Sequence, residues 1–127
     1  MAVNFEFKDR YDFNDLVQIV RILREPGGCP WDMEQTHQSI RENFLEETYE
    51  VIEAIDTNNK ELMQEELGDV LLQVLMHSDM ARTEGWFTID DVANDICAKL
   101  IVRHPHVFGD VTVNSTGRLL RNWDDKK

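Results

Sequence analysis

Residues 60–84 read KELMQEELGDVLLQVLMHSDMARTE, and the order of apolar and acidic side chains along them decides the fold. Placed at about 100° per residue, Met63, Leu67, Val70, Leu71, Leu72, Val74, Leu75 and Met76 surround the helix axis almost completely. A helix that is apolar nearly all round belongs in an interior. Against that background Glu66, Asp69 and Gln73 fall within a sector of about 60°, stacked at i, i+3 and i+7. A carboxylate carried into an interior costs on the order of several kcal/mol unless it is compensated. Cations are poorly placed to do so: Lys60 opens the segment, Arg82 ends it, and none lies between Arg41 and Lys60. A divalent cation is the economical partner, and a polar layer of protonated or water-linked carboxyls is the alternative.

Working outward towards the amino terminus, Ile40, Phe44, Leu45, Ile52 and Ile55 carry a second helix to about Asp56, with Ser39 and Glu42 spaced as a capping box at its start. Its apolar arc also takes in Thr48, Tyr49 and Val51. Glu46, Glu50 and Glu53 lie opposite the arc and Glu47 at its edge, a pattern that by itself describes a solvated face. The pair Glu47 and Glu50 repeats the spacing of Glu66 and Asp69, so two antiparallel helices can present these four carboxylates to one point. Oxygen-only ligation favours a hard ion, Mg²⁺ or Mn²⁺, over zinc. Paired Glu-x-x-His motifs, which a di-iron bundle needs, are missing from the acidic helices.

Further out, Phe13, Leu16, Val17, Val20 and Leu23 mark a helix that ends before Pro26, and residues 25–32 read as an ordered, non-helical loop. Thr57-Asn58-Asn59 separates the second helix from residues 60–84, and Gly85 closes the latter. Thr88 and Asp91 form a capping-box pattern opening a further helix through Arg103, which His104-Pro105 stops. Beyond it lie a turn at Gly109-Asp110 and a short helical turn around Leu119 to Trp123. The expectation is an all-α, four-helix-bundle-like fold in a single domain over residues 1–127. The apolar surface of the central helix exceeds what one small bundle covers, which predicts a homodimer or higher homo-oligomer.

The 25 acidic and 13 basic residues leave a formal charge of −12 on a chain whose 42% hydrophobic content is that of a folded domain. Such a surface repels phosphate backbones, so nucleic-acid polymers are excluded as partners. The amino terminus has no signal or lipidation pattern and no apolar run is long enough to span a bilayer, which places the chain in the cytoplasm and off membranes. Cys29 and Cys97 read as free thiols. Lys99 and Arg103, at i and i+4, share a face of that further helix: either a favourable positive end to the helix or a phosphate clamp.

Taken in order, GGCPWDMEQTH (27–37), LEETYEVIEAID (45–56), EELGDVLLQV (65–74) and KLIVRHPHVFGD (99–110) resemble the MazG family of nucleoside triphosphate pyrophosphohydrolases. Glu46, Glu47, Glu50, Glu66 and Asp69 meet that family's Glu-Glu-x-x-Glu and Glu-x-x-Asp signature. The resemblance implies an enzyme that hydrolyses nucleoside triphosphates between the α and β phosphates to monophosphate and pyrophosphate, and it suggests a role in house-cleaning of nucleotide pools. It implies Mg²⁺, with Mn²⁺ as substitute, on Glu47, Glu50, Glu66 and Asp69, and a further acid, Glu46, for a second ion or the attacking water. It also implies phosphate contacts from Lys99 and Arg103 and nucleotide contacts from Trp123 and Lys127. A narrower pyrophosphohydrolase, for deoxyuridine, deoxycytidine or phosphoribosyl-ATP substrates, and a non-catalytic nucleotide-binding module are the competing functions.

Overall fold

The computed structural model describes residues 3–109; Trp123, Lys127 and the helical turn expected around Leu119 lie outside them. Among the described residues every regular element is a helix, in the order α1 (Phe13–Arg24), α2 (Pro30–Glu34), α3 (Arg41–Asp56), α4 (Lys60–Thr83), α5 (Ile89–Arg103) and α6 (Pro105–Phe108). The chain divides into two compact units, Met1–Trp86 and Phe87–Lys127.

In the first unit α3 packs along α4, and α1 packs against both α4 and α2. The three residues between α3 and α4 force the antiparallel arrangement. Asn58 takes a left-handed conformation, with φ of 53°, which asparagine tolerates better than most residues. Asn59 then caps α4 by accepting a 3.1 Å hydrogen bond from the Leu62 amide. At the other end of α4, Gly85 sits at φ 75° and turns the chain out of the helix.

Two local expectations are corrected. The Ser39–Glu42 capping box does not form: α3 starts at Arg41 with Ile40 as its cap and no side-chain cap bond. Ser39 is engaged one turn earlier, where its hydroxyl donates to Gln35 Oε1 at 2.7 Å and accepts from the Thr36 amide at 2.8 Å. Residues 25–32 are also not wholly non-helical, because Pro30 opens the short α2, a position where its missing N–H costs nothing. The rest of that loop folds back on α1. The Gly28 amide donates to Glu25 O and the Cys29 amide to Leu23 O, so close that a Cβ on residue 28 would strike the carbonyl oxygens of Ile22 and Leu23.

The core comprises Val20, Ile40, Ala54, Leu75, Met76, Met80 and Ala81. Burial on α4 therefore runs through its second half, not from Leu67 as the apolar pattern suggested; Leu67 is half exposed. The reason is coverage. Arg21 and Arg24 of α1 both reach Asp79, so α1 lies over the carboxy-terminal turns of α4. The arc on α3 likewise splits into two faces. Ile40, Phe44, Thr48, Val51 and Ala54 are buried or half-buried, whereas Leu45, Tyr49, Ile52 and Ile55 are exposed.

In the second unit Thr88 and Asp91 form the expected capping box, each side chain accepting from the other's amide. α5 runs to Arg103, where His104 ends it and Pro105 begins α6.

Candidate metal centre

Two helices build the acidic cluster. Because α3 meets α4 through Phe44, Thr48 and Val51, Glu47 is turned inward and is half-buried, as are Glu66 and Asp69 across the interface. One carboxylate oxygen from each of Glu47, Glu66 and Asp69 lies within 4.8 Å of the others. The electrostatics follow from that crowding. Glu47 is held protonated to higher pH than an ordinary glutamate, first by burial, then by the charges of Asp69 and Glu50, partly offset by a hydrogen bond with Glu66. Glu66 is raised for the same primary reason, with Asp69, Glu50 and Glu47 adding repulsion.

Glu50, one turn beyond Glu47, is exposed and acts on both raised acids through its charge. Glu46 is also exposed; it adds a smaller repulsion at Glu47 and stands outside the converging trio. Lys99 and Arg103 occupy the last turns of α5 in the second unit, and Lys99 borders a pocket of about 330 Å³ with Phe87, Val92 and Ile96 and the acids Asp91 and Asp95. Trp123 and Lys127 fall outside the described residues.

A further acid, Asp79, is fully buried, went unremarked in the sequence and shows what compensation by protein looks like. Asp79 accepts from Arg24 at 3.1 Å and Arg82 at 3.1 Å, with Arg21 at 3.9 Å. Among the described residues no such ion pair reaches Glu47, Glu66 or Asp69. α4 thus carries acid in two settings: Asp79 neutralised by arginine, and Glu66 and Asp69 left with only each other and the carboxylates of α3. A donor set made of carboxylate oxygens alone, without a resident cation, fits a hard divalent ion.

The family model for the MazG nucleotide pyrophosphohydrolase domain matches residues 35–108, which contain the acidic trio and both basic residues of α5. The chain belongs to the MazG family. It is 53% identical over 115 residues to the nucleoside triphosphate pyrophosphohydrolase/pyrophosphatase MazG of Thermotoga maritima, covering 91% of this chain and 44% of that protein. To the nucleoside triphosphate pyrophosphohydrolase of Escherichia coli it is 43% identical over 113 residues, covering 88% of this chain and 43% of that protein. The chain thus spans less than half the length of these curated relatives. The crystal structure of a mazG-related protein from Thermotoga maritima superposes with a TM-score of 0.72 at 24% identity, covering 89% of this chain and 96% of that one. That likeness concerns the all-helical fold.

The sequence also gave no sign of an aromatic cluster beside α4. His37 and His77, forty positions apart, approach Nδ1 to Nδ1 at 2.7 Å. Their rings lie nearly parallel, with Trp86 stacked on His37 and Phe44 tilted against His77. Nothing in local spacing marks that pair; packing of the 35–40 turn on α4 creates it.

Proposed function

We propose that this MazG-family chain is a divalent-metal-dependent nucleoside triphosphate pyrophosphohydrolase, cleaving between the α and β phosphates to release pyrophosphate. The observation that carries the reading is the convergence of Glu47, Glu66 and Asp69 within 4.8 Å with no cation among their described partners. Glu47, Glu66 and Asp69, joined by Glu50, would hold Mg²⁺ or Mn²⁺. Bound there, the ion supplies charge neutralisation for the polyphosphate and so lowers the barrier to attack at the α-phosphorus.

The remaining work falls to side chains. Glu46, on the open flank of the cluster, orients the attacking water and accepts its proton. Lys99 and Arg103 hold negative charge on the departing pyrophosphate, and Trp123 and Lys127 contact the nucleotide. Residues 1–127 form a single catalytic domain, and the exposed apolar residues of α3 are covered by a second copy of the chain. The surface charge of −12 keeps nucleic-acid polymers away. No described helix is long and apolar enough to cross a membrane, in keeping with action in the cytoplasm.

A panel of ribo- and deoxyribonucleoside triphosphates, resolved by anion chromatography with and without Mg²⁺ or Mn²⁺, tests this. Monophosphate and pyrophosphate should appear only with metal. Orthophosphate as first product would reject the cleavage position, and turnover undiminished by chelation would reject the metal.

A further inference from the structure

Towards the carboxy-terminal end of α4 the first unit carries an open cleft of about 520 Å³, walled by the turn at 35–38, the last turn of α4, Arg24 of α1 and Trp86. That volume is in the range of small-molecule sites. Its α4 wall, from Met80 to Thr83, lies about 16 to 21 Å along the helix axis from Asp69. A nucleotide held by its α-phosphate at the carboxylate trio is too short to set its own base that far along.

Trp86 is a preset platform in this cleft. Gly85, at φ 75°, lets the chain close the end of α4 with bonds from the Gly85 amide to Arg82 O at 3.1 Å and from the Trp86 amide to Ala81 O at 2.9 Å, a pairing that fixes both residues against the helix. The indole lies nearly parallel to the His37 ring, with centroids 5.5 Å apart, yet Trp86 stays 63% exposed. An indole held in place and open beside a cleft is a surface on which another flat ring stacks.

The polar groups around the platform select the ring. The Arg24 side chain is only 9% exposed; its Nε donates to Asp32 O and its Nη1 to Asp79. Nη2 bonds to no described residue and is not sealed from solvent, so it is the donor that Arg24 brings to the cleft wall. Glu84, exposed on the same cleft, brings an acceptor. One guanidinium nitrogen beside a carboxylate is a poor seat for phosphate, which needs several donors and is repelled by Glu84. A neutral ring with a carbonyl next to an N–H fits: the oxygen accepts from Arg24 and the N–H donates to Glu84. Adenine, with an amino group beside a bare ring nitrogen, presents the reverse pattern.

We propose that this cleft is a second ligand site, separate from the metal centre, that takes a nucleoside whose base carries a ring carbonyl beside an N–H, stacked on Trp86 and hydrogen-bonded to Arg24 and Glu84. The site goes beyond the pyrophosphohydrolase reading and does not depend on it.

Inosine and adenosine, whose bases differ only in that edge, are titrated by calorimetry into the protein in EDTA, where neither metal nor phosphate engages the carboxylate trio. Inosine should bind one to one, and adenosine at least about tenfold more weakly, the worth of roughly one hydrogen bond. Trp86→Ala should abolish inosine binding and Trp86→Phe should restore part of it. Glu84→Ala, an exposed substitution, should bring the two nucleosides closer together in affinity. No binding at millimolar inosine, equal binding of the two nucleosides, or binding untouched by both Trp86→Ala and Glu84→Ala would overturn the site. A further titration adds Mg²⁺ and the non-cleavable adenosine 5′-(α,β-methylene)triphosphate at saturation, its own binding measured first. Unchanged inosine affinity is expected; displacement of inosine would show that the cleft is the base end of the substrate site and overturn its separateness. Failure of turnover alone would reject the pyrophosphohydrolase reading and leave these titrations as they stand.

Discussion

Asp69 and Asp79 lie ten positions apart on α4, and their surroundings give them opposite chemistry. Asp79 is tied to Arg24 and Arg82, both at 3.1 Å. Removing its charge leaves Arg24, itself almost fully buried, without a counter-ion. Asp79→Asn is therefore expected to cost about 3 kcal/mol, at the lower end for breaking a buried pair, as measured by urea unfolding. Glu66 presents the reverse case. Burial and neighbouring carboxylates raise it, so ionisation works against the metal-free fold. Glu66→Gln should raise the melting temperature of the metal-free protein and abolish pyrophosphate release; a lowered melting temperature would show that the charge is compensated after all.

At the scale of elements, the turn at 35–40 is joined to α4 through His37 and His77. An Nδ1 to Nδ1 approach of 2.7 Å fits one shared proton, and a proton on both Nδ1 atoms would set two donors against each other. His77 is accordingly pushed below the ordinary histidine range, first by burial and then by His37. A depressed folded value means that the unfolded chain takes up a proton first as the medium is acidified. Stability contributed by the neutral pair is thus present above pH of about 6.5 and is lost as pH falls below it. Melting temperature followed from pH 8 to pH 5 should decline through that window, and His77→Phe should flatten the decline. The same element scale explains why the arc on α3 misled. Its apolar residues span more than one face, and only contact with α4 selects Phe44, Thr48 and Val51 as the inner one, carrying Glu47 inward with them.

For the whole molecule, the residues that α4 does not cover set the next expectation. Leu45, Tyr49, Ile52 and Ile55 of α3 and Leu67 of α4 stay exposed, a larger run of apolar side chains than a monomer of this size usually leaves to water. Light scattering at micromolar concentration should report a dimer or larger assembly, and Leu45→Glu with Ile52→Glu should shift it to monomer; a monomeric unaltered chain would refute that. Metal acts at this scale too. An ion that binds only the folded state stabilises it by about 2.7 kcal/mol at a hundredfold excess over Kd. Mg²⁺ or Mn²⁺ should therefore raise the melting temperature of the unaltered protein and leave that of Glu66→Gln unmoved.

The all-helical class, the spans of α1, α4 and α5, the end of α3 and the facing of Glu47 with Glu66 and Asp69 were legible in the sequence, because periodicity, caps and breakers are local and each acts within a turn or two of the chain. The Thr88–Asp91 box and the Asn58-Asn59 break are of that kind. Ser39 shows the limit: its hydroxyl had competing partners within four residues, and packing of the turn chose Gln35 and Thr36 over α3. Which acids are neutralised, which face of α3 turns inward, and that His37 meets His77 were decided only by tertiary structure. Each depends on contacts between residues distant in the chain, where burial strengthens every charge and leaves every unpaired polar atom exposed to the full cost of losing water.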